Sequence, residues 1–244
     1  MPGAARWRRL DGVAPPDGLT PALAPRWAVP SIAVAVAVVA VLTPLVWHTR
    51  QPNQVDAWVI RWQEVAYGHV GRLAGVVTDM LMRVAVAVVL ASAGLAWLAR
   101  RLDALVLAIT AVPTALVVNR LLKEFVHRQP PDGPLLLFPS GHLAMAAAAV
   151  LTAVLVVRVT ASPPGARRAV AWLAAGFLAA LGTARLAETV HYLADLLAGA
   201  ATGLAVTLAA ALAITAGRRT RWARVTRPRG IDPLGGDLTD PTGT

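Results

Sequence analysis

The chain lacks cysteine altogether and is poor in charge: none of its 244 residues is Cys, and only 15% are Asp, Glu, Lys or Arg. Without thiols there is no disulfide framework and no thiolate chemistry, and the redox compartment stays open. With 57% apolar residues and a mean hydropathy of +0.59, the sequence is too apolar for a soluble domain of this length. Its apolar residues are mostly Ala, Val and Leu, in long runs without period-2 alternation. That favours transmembrane helices over a membrane β-barrel.

Apolar blocks run over Trp27–Trp47, Val84–Ala99, Ala104–Val118, Leu143–Val157, Ala169–Ala184 and Leu196–Ala216. A spanning helix needs about 20 residues, so the middle four require their flanks. Arginine side chains snorkel at helix ends, and Leu73–Met82 extends the second block backwards, with Asp79 and Arg83 spaced to pair at i,i+4. The expected fold is therefore all-α, an integral membrane bundle of six transmembrane helices. Between the first two, Val55, Trp58, Val59, Trp62 and Val65 recur at helical spacing, which predicts a short amphipathic interfacial helix with its indoles at headgroup level. The membrane domain spans 27–216. It lies between a cytoplasmic tail over 1–26 and a basic one over 217–244, both expected to be disordered. The segment Trp27–Trp47 is longer than a signal-peptide core and reads as a retained first helix.

The formal charge of +10 suggests nucleic acid at first sight, but its distribution argues otherwise. Arginines concentrate before the first span, in alternate loops (Arg100, Arg101, Arg158, Arg167, Arg168) and after the last span. The positive-inside rule then puts both termini in the cytoplasm and accounts for the basic excess, so no nucleic-acid partner is expected. The remaining two large loops face the other side, and they hold the polar blocks of interest. These are Lys123-Glu-Phe-Val-His127-Arg128-Gln-Pro130-Pro131, Pro139-Ser140-Gly141-His142, and Arg185-Leu-Ala-Glu-Thr-Val-His191-Tyr-Leu-Ala-Asp195.

Ionisable residues at the mouths of membrane helices are costly and mark function. Ser140 suits the N-cap of the fourth span, with Gly141 and His142 in a first turn whose free N–H groups attract anions. His191 and Asp195 are spaced to share a helix face, where the carboxylate fixes the imidazole tautomer. Lys123, Arg128 and Arg185 supply cationic donors suited to phosphate oxygens. His48, His69 and His127 read as interfacial anchors.

In order and spacing the three blocks resemble the signature of the type 2 phosphatidic acid phosphatase superfamily, integral-membrane lipid phosphatases related to vanadium haloperoxidases. The Pro-Ser-Gly-His part is intact at 139–142. The Arg, His and Asp of the last part stand at 185, 191 and 195, with Ala184 where the family has Ser. Lys123 and Pro131 match the first part, with Pro130 where the family has Arg. The resemblance implies that His191 is the nucleophile forming a phosphohistidine and that Asp195 orients it. It makes His142 the general acid and then base, and gives the phosphate a cradle of Lys123, Ser140, Gly141 and Arg185. It further implies a lipid or polyprenyl phosphate substrate, no cofactor or metal, and a site on the extracytoplasmic face of a bacterial plasma membrane. Arg128 or Arg120 is expected to stand in for the missing arginine. Three other readings stay open: a weakly active or headgroup-binding member, a lipid phosphotransferase, and a metal-dependent hydrolase built on His142, His191 and Asp195.

Overall fold

In a bilayer core every backbone N–H and C=O must find its partner within the protein, and long Ala, Val and Leu stretches do so as helices. The computed structural model describes residues 25–49, 54–67, 70–129, 135–160, 163–189 and 191–225. Among these residues the secondary structure is helical: α1 (Pro25–Val46), α2 (Gln54–Tyr67), α3 (Gly71–Leu98), α4 (Leu102–Val126), α5 (Gly141–Val159), α6 (Pro164–Ala187) and α7 (Leu193–Val225). All but α2 are long and apolar enough to cross a membrane, six spans in all. Pro130, Pro131, His69 and the tails over 1–24 and 226–244 lie outside the described residues.

The helices outrun the apolar blocks that signal them. α3 begins at Gly71, two residues before the Leu73–Met82 extension of its apolar block, and α4 continues to Val126, past Val118. Charged side chains near helix ends reach the interface or an internal cavity, so they do not interrupt the hydrogen-bond ladder. The apolar part of α7 ends at Gly217, yet the helix runs to Val225, beyond the boundary at 216 read from composition. The arginine-rich continuation contains no helix breaker before Pro228. Pro164 opens α6 at its first turn, where a missing N–H costs nothing.

α5 is apolar on all sides and accordingly central, packed against α3, α4, α6 and α7. α7 lies between α1, α4 and α5. Outward-facing Val34, Val41, Leu90, Val117 and Leu173 give the bundle its lipid-facing surface. Gly199 and Gly203, one turn apart on α7, let the α5 backbone approach closely. A Cβ on Gly203 would stand 2.3 Å from the Ala144 carbonyl oxygen, and one on Gly199 2.3 Å from that of Ser140. At one end, Ala28, Leu107, Ala111, Leu155, Leu208 and Ala211 tie α1, α4, α5 and α7 together. At the other, Val46, Val126, Phe138, Ala194 and Ala198 clamp the segment before α5 onto the start of α7.

α2 occupies the predicted place between the first two spans and packs against α6 and α7. Asp56 and Val59 turn inward and are buried, while Trp58 and Trp62 face outward.

Gly203→Ala should destabilise the protein by about 1–3 kcal/mol, because a rigid backbone carbonyl blocks the new methyl group. Gly176→Ala on α6, where an added Cβ meets nothing within 4 Å, should be neutral or stabilising by up to about 1 kcal/mol. Thermal unfolding of the two variants in detergent checks the contrast.

Candidate active site

The ends of α4 and α6 and the starts of α5 and α7 meet at one side of the bundle, and there the three polar blocks converge. α4 ends at Val126, and His127 closes it in the left-handed region (φ 53°) with its N–H on the Lys123 carbonyl. Lys123, the chain's only lysine, donates to the carbonyls of Leu136 and Leu137, the latter at 3.4 Å. The buried Asn119 donates to the Pro139 carbonyl at 3.3 Å. Two side chains of α4 therefore hold the segment that leads into α5.

Ser140 takes the N-cap position of α5, as expected, but its hydroxyl does not cap the helix. Its Oγ is buried without a hydrogen-bond partner, whereas its backbone N–H donates to the Asp195 carbonyl at 2.8 Å. That backbone bond joins the second polar block to the third. Asp195 stands at the third position of α7, and its Oδ2 accepts the N–H of Tyr192 at 3.0 Å. This is the acidic half of a capping box, in the helix turn where a negative charge is most favourable. His191 precedes the helix rather than belonging to it, yet its Nδ1 lies 3.6 Å from Asp195 Oδ2. That separation is an ionic approach, not a hydrogen bond, and Nδ1 has no other partner. Burial holds the His191 imidazole below its ordinary pKa; Asp195 opposes this shift, and Arg185 and Lys123 reinforce it.

A cavity of about 610 Å³ opens at this junction. Lys123, Gly141, His142, Arg185 and His191 line its polar part with Asp79 and Arg83 of α3; apolar side chains including Met82, Val86, Leu116, Leu135 and Met145 line the rest. Arg185 is anchored by Glu188, which also accepts the Thr78 hydroxyl, and its Nε is buried without a partner. Ser140 and Asp195 lie behind the cavity wall.

Arg128 does not enter the cavity, and the expectation that it faces a phosphate is corrected. It is enclosed, with Nη1 on Asp195 Oδ1 at 2.7 Å and Nη2 on Asp56 Oδ2 at 2.6 Å. The left-handed turn at His127 takes the chain off the α4 axis, so Arg128 points into the protein. Arg120 is exposed and paired with Glu124 along α4. Asp79 and Arg83 do not form the ion pair their spacing predicts; both line the cavity from α3. Asp56, Asp79 and Arg83 are thus the polar residues that motif reading misses, because they belong to no block. Only their charge within or beside an apolar run marks them. Among the described residues, no group of three or more His, Asp or Glu is placed to hold a metal ion. His48 and His127 stack on each other at 5.9 Å, apart from the cavity.

Fold and site together define a polytopic helical membrane protein with its ionisable groups gathered at one end of the bundle. Residues 104–219, from α4 into α7, match the family model described as the PAP2 superfamily. Among solved structures, the chain is similar to the first transmembrane PAP2 type phosphatidylglycerolphosphate phosphatase from Bacillus subtilis. Identity is 21% and the TM-score 0.61, over 78% of this chain and 96% of that one, which establishes the fold. No curated protein matches the sequence.

Asn119→Leu should destabilise the protein by about 1–3 kcal/mol, since the buried Pro139 carbonyl would lose its donor. Unfolding temperatures of variant and wild type in the same detergent check this.

Proposed function

We propose that the protein is a metal-independent membrane phosphatase that hydrolyses a lipid or polyprenyl mono- or diphosphate through a phosphohistidine intermediate. The observation that carries this reading is the convergence of His142, His191, Lys123 and Arg185 on one cavity whose wall, apart from Asp79 and Arg83 of α3, is otherwise apolar. A polar end matches a phosphate, and the apolar end matches the first part of a lipid tail.

With Asp195 beside Nδ1, the Nε2 of His191 is the nitrogen left for attack on phosphorus. The P–N bond forms as the P–O bond to the lipid breaks, and His142 gives its proton to the leaving oxygen. His142 then takes a proton from water, whose oxygen attacks phosphorus, and His191 departs as the neutral imidazole. Lys123, Arg185 and the Gly141 N–H at the α5 N-terminus hold the equatorial oxygens, where charge gathers in the transition state. Ser140, beside Gly141, keeps its hydroxyl uncommitted behind the cavity wall and is not counted among these donors. The arginine distribution supports cytoplasmic termini and a site on the extracytoplasmic face, in our reading that of a bacterial plasma membrane.

A second reading is favoured by one observation: neither Arg120 nor Arg128 reaches the cavity. Under it, the protein binds phospholipid headgroups with little or no turnover. Phosphate release from phosphatidic acid, phosphatidylglycerophosphate and polyprenyl phosphates, with His191→Ala as the blank, separates the two. Release above the blank is expected, and His142→Ala should lower it about 10²–10⁴-fold. Binding of vanadate without release from any of the three would favour the second reading. A phosphotransferase would release phosphate only slowly and pass it to an added alcohol acceptor.

The pH dependence has a definite sign. His191 attacks only when unprotonated, and burial lowers its pKa, so kcat/KM should rise with pH along a limb whose midpoint lies below 6.5. An acid limb centred above that value would contradict the assignment.

A further inference from the structure

Among the described residues, the most enclosed charged cluster is not in the cavity but behind it. Arg128, Asp56 and Asp195 are each at most 1% exposed, and the guanidinium lies 4.2 Å over the ring of Tyr192. A guanidinium fixed on both terminal nitrogens and stacked on a ring has no freedom to follow a ligand. What it does fix is Asp195. One oxygen of that carboxylate accepts from Arg128, and the other accepts the Tyr192 N–H and faces His191. The plane of the carboxylate, and with it the direction presented to the imidazole, is set from behind by Arg128. The far side of Arg128 is held in turn by Asp56, which α2 carries in from the bundle's surface.

We propose that Arg128 is a positioning residue, anchored by Asp56 of α2, that acts through Asp195 to set the imidazole of His191. α2 is then part of the catalytic apparatus and not only a surface connector. The inference rests on the reading of His191 as the nucleophile. Stability alone gives a poor account of the cluster, because apolar residues of similar volume often replace a buried ion pair at no cost. An orienting role needs these charges in this geometry.

The test uses full-length protein in lipid nanodiscs, with phosphatidic acid, phosphatidylglycerophosphate and a polyprenyl phosphate assayed in parallel. Asp56→Asn is nearly isosteric and leaves Arg128 bound to Asp195. It should lower kcat about tenfold or more while KM stays within about twofold, as expected for misalignment of a bound nucleophile. Arg128→Lys, whose single nitrogen lacks the rigid fork that holds the two carboxylates from separate nitrogens, should act in the same direction. The double variant should be no worse than the poorer single one, since both disturb one network. Wild-type kcat in Asp56→Asn, with His191→Ala inactive, would overturn the positioning role and leave the nucleophile in place. Losses that add in the double variant, or that appear as KM or as loss of folded protein with kcat per folded molecule unchanged, would also overturn it. Turnover surviving in His191→Ala, or no release by wild type from any substrate, would sink the functional reading and the inference with it.

Discussion

The carbonyl oxygens of Ser140 and Ala144 lie so close to Gly199 and Gly203 that no side chain fits between α5 and α7. In lipid, where apolar surface gains little by leaving its surroundings, such close backbone contact is a main source of helix association. Here it also sets the chemistry. The two helices start side by side, and the Ser140 N–H reaches across to the Asp195 carbonyl. His142 and His191 are therefore brought to one cavity by backbone contacts rather than by bonds of their own. The α5 N-terminus, with the partial positive charge of its free N–H groups, opens at the same place.

The charges around this junction are committed before any ligand arrives, and unevenly so. Lys123 rests on neutral carbonyls, partners that can be shared with an incoming anion at little electrostatic loss. Arg185 is gripped by Glu188 through one terminal nitrogen, while its buried Nε keeps a free donor. Asp195 carries out three tasks on two oxygens: it caps α7, binds Arg128 and faces His191. Groups fixed in this way need no reorganisation when charge develops on a substrate, which is where electrostatic catalysis gains most.

The bundle was legible in the sequence because lipid allows so few solutions: long runs of Ala, Val and Leu have to be helices, and α2 showed its outward indoles at helical spacing. The helix ends were less legible, since Arg72 in α3 or Lys123 in α4 looks like a stop in a hydropathy reading yet belongs to the helix. Lys123, Gly141, His142, Arg185 and His191 announced their common cavity through motif spacing. Asp56, Asp79 and Arg83 did not, because tertiary packing alone brings α2 and α3 to the site. Ser140 illustrates a different gap. Its position at the helix start was readable, but whether its hydroxyl caps the helix or stays uncommitted depends on side-chain geometry.

Arg128 shows why distance along the chain is a poor guide near a helix end. It stands two positions before 130, where the family pattern has an arginine, and on a continuing helix it would lie more than a turn beyond Lys123. But α4 stops at Val126, and the left-handed His127, a conformation that non-glycine residues adopt at a cost of about 1–2 kcal/mol, turns the chain inward. The guanidinium then meets two buried carboxylates and is removed from the cavity. Among the described residues, the cations that face the cavity are Lys123 on α4, Arg185 on α6 and Arg83 on α3. Positive charge at the site thus comes from three separate helices, with a fourth cation, Arg128, held behind His191 on Asp195 rather than facing the cavity.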